Sequence, residues 1–145
     1  MACPFFDPVH PRTVAIGATG AMLPLGDDWL GICRARNGQP WEPDEASLRT
    51  FCNLGYARGA CPRFPVDGGN GEPDAVRFTI SRDDGHAVEV YYVVERDHHP
   101  FAHGGLKFCR AAAAFLEPAP TELLDRQAGA YIISYLRRKA EAAAG

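Results

Sequence analysis

Long apolar runs, export signals and lysine are all scarce or absent in this chain. No apolar run approaches the roughly 20 residues that a helix needs to cross a membrane. The N-terminus, Met1–Pro8, has neither a basic region nor a long apolar segment, which argues against a secretory signal. Only two lysines accompany thirteen arginines, and the net charge of −3 argues against a general nucleic-acid-binding surface. We therefore expect a cytoplasmic protein that binds neither membrane nor nucleic acid.

The size and composition are those of one soluble domain. The chain has 145 residues, of which 46% are hydrophobic and 23% charged. A domain of this size buries about 68–70% of its unfolded surface, so it can form a core without disulfide staples. We predict a single domain over 1–145 with two unlike halves. Residues 1–74 are rich in cysteine, proline and glycine and show little periodicity, whereas 75–145 have the patterns of strands and helices.

The second half predicts a small sheet and a long helix. Apolar residues alternate with polar ones over 75–81 and 87–95, with a turn at 81–85, which predicts an antiparallel hairpin. We expect a loop at 97–105, a third strand at 106–108 and a short helix at 111–116. Thr121 is the expected N-cap of a last long helix, with Arg137, Arg138 and Lys139 near its negative end. Its apolar line is Leu124, Ala128, Ile132 and Leu136.

The fold class predicted is therefore α+β, a small antiparallel sheet packed against a long C-terminal helix, with an irregular N-terminal half. In that half, a strand at 13–16, a turn at 17–20 and a flexible connector at 67–73 are expected. Pro43, Asp44 and Glu45 open a short helix. Cys52 lies in its last turn facing inward, and Gly55 supplies its left-handed cap.

Four dispersed cysteines are the most informative feature of this half: Cys3, Cys33, Cys52 and Cys61. Four thiolates form the ligand set of one tetrahedral metal ion or one iron–sulfur cluster. The compact Cys-x2-Cys turns that are typical of structural zinc are missing, which favours a cluster whose ligands come from separate loops. Cys3 and Cys61 are each followed by proline, as the last ligand of the bacterial ferredoxin run is, but the ferredoxin spacing is absent and no family follows from it.

These observations predict a cysteine-ligated iron–sulfur protein, with one [4Fe–4S] cluster favoured over [2Fe–2S]. Its predicted role is electron transfer or redox sensing with a redox partner protein. The metal would tie distant segments together, so we expect the metal-free form to be loose in residues 1–65. Six aromatic residues near the cysteines in sequence are expected to keep water from the cluster: Phe5, Phe6, Trp29, Phe51, Tyr56 and Phe64.

Three alternatives stay open. The four thiols could hold zinc in an interaction module, or they could be separate buried cysteines that act as small apolar residues. A thiol-dependent enzyme is the third, in which Cys52 or Cys61 attacks and His99 or His103 activates it. His98 lies in the same polar segment.

The remaining cysteine, the arginines near Cys61 and two acidic pairs are not expected to act as ligands or catalysts. Cys109 is expected in the core, because it lies in a regular element beside apolar residues. Arg58 and Arg63 flank Cys61 and would either lower a thiol pKa, screen an anionic cluster or lie in solvent. The acidic pairs at 27–28 and 83–84 are expected to be solvated turn residues without a catalytic role.

Overall fold

The computed structural model describes residues 1–12, 23–36, 38–58, 60–65 and 73–144. The strand expected at 13–16, the turn expected at 17–20 and the expected connector up to residue 72 lie outside these ranges. In chain order the elements are β1 (Phe6–Pro11), β2 (Trp29–Cys33), α1 (Glu45–Ser47) continued by a π-helical turn (Leu48–Cys52), β3 (Ala75–Asp83), β4 (Ala87–Arg96), β5 (His99–Cys109), β6 (Ala114–Phe115) and α2 (Glu122–Ala144).

Two antiparallel sheets and the long helix α2 make up the architecture. The small sheet contains β1 and β2, and the 4-stranded sheet contains β3, β4, β5 and β6 in chain order. Helix α2 contacts β1 of the first sheet and β4 of the second. Ala2 joins the N-terminal segment to the larger sheet, because its backbone exchanges hydrogen bonds of 2.8 and 3.0 Å with Val76. The α+β prediction is confirmed.

The predicted hairpin is present as β3 and β4. Val76, Phe78, Val88 and Val90 are all buried, as the alternation requires. Between the strands, the Asp84 carboxylate accepts hydrogen bonds from the amides of residues 86 and 87, each at 2.8 Å. These bonds close the turn that the acidic, glycine-containing segment predicts.

The loop expected at 97–105 is wrong, because β5 already begins at His99. Asp97 and His98 form a two-residue turn with φ of 52° and 62°, as a type I′ hairpin requires. The first part of β5 is largely exposed and contains two glycines, so it lacks the alternation that marks a half-buried strand. A Cβ on Gly104 would lie 2.8 Å from the Tyr92 hydroxyl, so only glycine lets the Tyr92 ring approach this strand.

The helix expected at 111–116 is also wrong, because these residues form a turn and the short strand β6. The alanines at 111–114 are exposed and give a helix no buried face to hold it. Phe115 instead packs edge to face against Phe108 of β5, with ring centroids 5.4 Å apart.

Helix α2 begins as predicted. The Leu124 amide donates to the Thr121 hydroxyl at 3.1 Å, and Leu124, Ala128 and Ile132 are buried while Leu136 is half-buried. Arg137, Arg138 and Lys139 do not lie at the negative end of the helix as expected, because the helix continues beyond them to Ala144.

Two acids that were expected in solvent are instead the partners of these basic residues. Asp27 is 3% exposed and binds Arg137 and Arg138, while the Asp83 carboxylate binds Lys139 at 2.6 Å and Arg110 at 2.9 Å. The basic cluster on α2 therefore fastens the helix to two turns rather than compensating the helix dipole.

The short helix of the N-terminal half has the predicted ends. The Asp44 carboxylate accepts from the Ser47 amide at 2.8 Å, which caps the first turn. Gly55 has φ of +102°, and a Cβ there would lie 2.5 Å from the Thr50 carbonyl oxygen. These two features fix the start and the end of the helical segment that carries Cys52.

Candidate metal centre

All four N-terminal cysteines line one small cavity, although they come from four separate segments. Cys3 precedes β1, Cys33 ends β2, Cys52 ends the π-helical turn and Cys61 lies in the following loop. The rest of the lining is apolar: Phe6, Ala35, Trp41, Phe51, Ala57 and Phe64. The four thiols therefore lie in one common apolar environment.

Backbone hydrogen bonds bring the segments of Cys3, Cys33 and Cys52 together. The Cys3 amide donates to the Cys52 carbonyl at 3.1 Å. Across the small sheet, Phe6 of β1 is paired with Cys33 of β2. A Cβ on Gly31 of β2 would lie 2.1 Å from the Asp7 carbonyl oxygen, so glycine permits the close approach of the two strands.

A second bridge places an aromatic wall beside Cys33. Cys33 and Trp41 exchange backbone hydrogen bonds of 2.7 and 3.1 Å. The indole of Trp41 lines the cavity, and the Arg63 guanidinium lies 4.7 Å from its ring centroid. Trp41 was absent from the aromatic residues expected at the site, since its position depends on this bridge rather than on proximity in sequence to a cysteine.

The Cys52 segment is anchored by a buried amide side chain. Asn53 is 2% exposed, and its carboxamide accepts from the Trp29 amide and donates to the Trp29 and Leu48 carbonyls at 2.8, 2.9 and 3.1 Å. Such a fully bonded buried group fixes geometry, because leaving either partner unpaired costs about 1–3 kcal/mol. Trp29 therefore supports the site from one layer outside the cavity.

The loop that carries Cys61 is held by its own turns. The Cys61 amide donates to the Ala57 carbonyl at 2.7 Å, and the Phe64 amide donates to the Cys61 carbonyl at 3.1 Å. Phe5 packs edge to face against Phe64, with ring centroids 5.4 Å apart. These contacts turn the Cys61-Pro62 segment back toward the cavity.

Burial strongly disfavours the charged form of two of these thiols. It raises the pKa of Cys3 to about 12, and the backbone of Phe5 and Phe6 offsets only part of that rise. Burial also raises the pKa of Cys52, and the other three cysteines add to the rise. A nucleophilic thiol needs a lowered pKa, so the raised pKa of Cys52 is opposite to what the enzyme alternative requires of that residue. Metal coordination supplies the positive charge that would deprotonate such thiols.

The arrangement does not match the ligand set of a single ion. Among the described residues, no group of three or more His, Cys, Asp and Glu side chains is placed to hold one metal ion. Tetrahedral zinc with Zn–S bonds of about 2.3 Å needs its sulfurs only about 4 Å apart. The cavity between the thiols has a volume of about 10 Å³, roughly the space of one water molecule.

The arginines that flank Cys61 lie in two different settings. Arg58 binds the buried Asp74 at 2.8 Å and Asp97 at 2.6 Å, so it fastens the loop to the β4–β5 turn. Arg63 covers the outer face of Trp41 and its Nη2 donates to the Gln39 carbonyl at 3.4 Å. Neither arginine lines the cavity.

The histidines of the enzyme alternative are not at the thiols. His98 stacks on Tyr56, with centroids 4.4 Å apart, and His103 lies beside Tyr91 on the larger sheet. His99 is an exposed residue of β5. Among the described residues, no histidine contributes to the cavity lining. Tyr56, which was expected to shield the cysteines, also lies at this turn, and its hydroxyl donates to Glu95 at 3.2 Å.

Cys109 is separate from the other four cysteines. It ends β5, paired with Ala87 and Ala114, and it is half-buried rather than fully buried as expected of a core residue. It does not line the cavity and therefore serves as the natural control for the four cysteines that do.

Comparison with known proteins identifies no relative. No family model, curated protein or solved structure matches the chain. Within the described ranges, no helix combines the length and apolarity needed to cross a membrane.

Proposed function

We propose that this is an iron–sulfur protein that binds one [4Fe–4S] cluster through Cys3, Cys33, Cys52 and Cys61. The observation that carries the proposal is that these four cysteines, from four segments of the chain, line one apolar cavity. Isolated buried cysteines need no common location, and each can be satisfied as a small apolar residue anywhere in a core. Convergence of all four, with Cys109 outside, is the pattern of a shared ligand set.

A cluster suits this arrangement better than a single ion. In a cluster, iron and sulfide atoms lie between the thiolates, so the sulfurs sit further apart than around one tetrahedral ion. The thiols line a common cavity without the arrangement that a single ion needs. Aromatic and alanine side chains complete the wall, and such an apolar shell limits solvent access and tunes the potential of a cluster.

Structural zinc is the second candidate, and the observation in its favour is the small volume of the cavity, about 10 Å³. One ion demands less space than a cube of iron and sulfide. In the zinc case the protein would be a metal-stabilised interaction module without redox chemistry.

The proposed role is electron transfer or redox sensing in the cytoplasm, with a partner protein that exchanges electrons with the cluster. The raised thiol pKa values of Cys3 and Cys52 fit ligands that deprotonate only when the cationic centre binds. The raised pKa of Cys52 does not fit a free nucleophile at that residue.

Anaerobic purification followed by analysis of iron, acid-labile sulfide and zinc tests the proposal. The expected result is a brown protein with four irons and four sulfides per chain, whose visible absorbance bleaches on reduction. One zinc per chain without iron would favour the interaction module. A colourless, metal-free protein in which alkylation of a single cysteine abolishes an activity would favour the thiol enzyme.

Cysteine variants assign the ligands. Cys33→Ala and Cys61→Ala are each expected to lose most of the iron, because three thiolates hold the centre less tightly than four. Cys109→Ala is expected to retain it, since this residue lies outside the cavity. Loss of iron from Cys109→Ala, with full retention in either of the other two, would refute the ligand assignment.

A further inference from the structure

A separate cavity, which we call the sheet–helix cavity, lies between the larger sheet and the start of α2. Its volume is about 250 Å³, and none of its described lining residues also lines the thiol cavity. The buried side chains of Val76, Val94 and Leu124 form its floor, and the exposed Phe101 and Thr121 lie at its mouth. An apolar cavity of about 150 Å³ holds benzene, so this one has room for a ring with several further atoms.

Gln127 presents an unpaired hydrogen-bond acceptor in this cavity. The residue lines the cavity and is 1% exposed, and its Nε2 donates to the carbonyl oxygens of Cys3 at 3.0 Å and Phe6 at 2.8 Å. Because both partners are acceptors, the carboxamide nitrogen must face them and the Oε1 must face away. No described residue donates to this Oε1. A buried acceptor without a partner is unfavourable, so a ligand that donates one hydrogen bond here would remove that cost.

The rest of the lining favours an uncharged, flat ligand. None of the described lining residues carries a charged side chain, so a charged ligand would lose its hydration without a compensating partner. The rings of Tyr92 and Phe101 form part of the wall, and aromatic surfaces pack favourably against another ring. An aromatic molecule with one N–H or O–H group therefore meets the requirements of size, charge and hydrogen bonding together.

We propose that the sheet–helix cavity is a binding site for a small uncharged aromatic molecule of about the size of indole, which donates one hydrogen bond to the Oε1 of Gln127. The apolar floor binds the ring, and the single acceptor selects the rings that carry a donor. The site does not depend on the proposed metal centre, because the two cavities have separate walls. Either proposal can therefore fail while the other stands.

Calorimetric titration of the full-length protein with indole, and in parallel with benzofuran, tests the proposal. Benzofuran has the same bicyclic shape, but a ring oxygen replaces the N–H donor. Indole is expected to bind with a Kd below about 1 mM. Benzofuran is expected to bind at least about tenfold more weakly, because it leaves the Oε1 of Gln127 unpaired.

Three variants locate the binding site. Ala102→Leu enlarges a half-buried wall residue of β5 and should weaken binding of both probes at least about tenfold, because the added atoms fill the cavity. His103→Leu introduces the same side chain at the exposed neighbouring residue, outside the lining, and should leave both affinities unchanged. Gln127→Met removes the acceptor, so indole should lose its preference over benzofuran.

Each contrary result overturns the proposal. Absence of indole binding at about 1 mM, or binding that Ala102→Leu leaves unchanged, would refute the site. Equal affinities of the wild type for indole and benzofuran would refute the role of Gln127. Where a variant does not fold, amide NMR shifts of the wild type decide: indole should move those of Val94 and Leu124 and leave those of Cys33 and Cys52 in place.

Discussion

The two halves of the molecule are held together in different ways. The cysteine half has short elements, and its geometry depends on buried polar side chains such as Asp7, Asn53 and Gln127. The larger sheet has continuous strand pairing and an apolar face that packs toward α2. The first half therefore depends on specific hydrogen bonds and, in our account, on a bound centre. The second half depends mainly on apolar burial.

Removal of the centre should produce the largest difference between the halves. Structural thiolate sites contribute on the order of 10 kcal/mol of binding energy, and that energy is also folding energy. After the iron is stripped and chelated, amide hydrogen exchange is expected to accelerate by at least about 100-fold in β1, β2 and residues 48–61. Exchange in β3 and β4 should change far less. Equal acceleration in both halves would remove the distinction between them.

Phe78→Ala should damage the other half. Phe78 is 7% exposed, and its ring lies 5.6 Å from that of Tyr131 on α2, so truncation leaves a cavity between sheet and helix. The expected loss is about 3–5 kcal/mol in the free energy of unfolding, measured by denaturant titration. Iron content per folded chain should not change.

The matched control for that substitution is Phe101→Ala. Phe101 is a residue of β5 that is 50% exposed, so its loss should cost within about 0.5 kcal/mol. If Phe78→Ala instead released the iron before the sheet unfolded, the larger sheet would not be independent of the thiol site.

Acid should weaken the attachment of α2 by a smaller amount. Hydrogen bonds from Lys139, Tyr135 and the Gly85 amide hold the pKa of Asp83 well below its usual range. A lowered folded-state pKa gives stability that is complete above the unfolded pKa of about 3.9 and is lost as the pH falls below it. Asp83→Asn should therefore reduce the acid-side slope of stability between about pH 5 and pH 2 and cost about 1–2 kcal/mol at pH 7. A slope equal to that of the wild type would exclude Asp83 as its source.

The secondary structure was predictable where one face of an element is buried. The hairpin of β3 and β4 and the apolar line of α2 follow directly from alternation and from helical spacing. The strand β5 was not predictable, because its polar and glycine-rich first part is exposed and owes its conformation to pairing with β4. The alanine run at 111–114 resembles a helix by propensity but has no surface to bury against.

The candidate site was predictable as a set of residues but not as a geometry. Four thiols outside regular patterning suggested a common ligand set, yet their convergence depends on long-range bonds between Cys3 and Cys52 and between Cys33 and Trp41. Gln127 left one recognisable signal, a polar residue on the apolar line of α2 between Leu124 and Ala128. Its partner turn lies more than a hundred residues away in sequence, so the pattern alone could not identify it.

Native mass spectrometry of the intact chain, purified without oxygen, tests the central claim most directly. Our account predicts that the folded wild-type protein carries the added mass of four irons and four sulfides, and that Cys61→Ala loses it while Cys109→Ala keeps it. A folded wild-type chain whose mass equals that of the polypeptide alone would contradict the proposed centre.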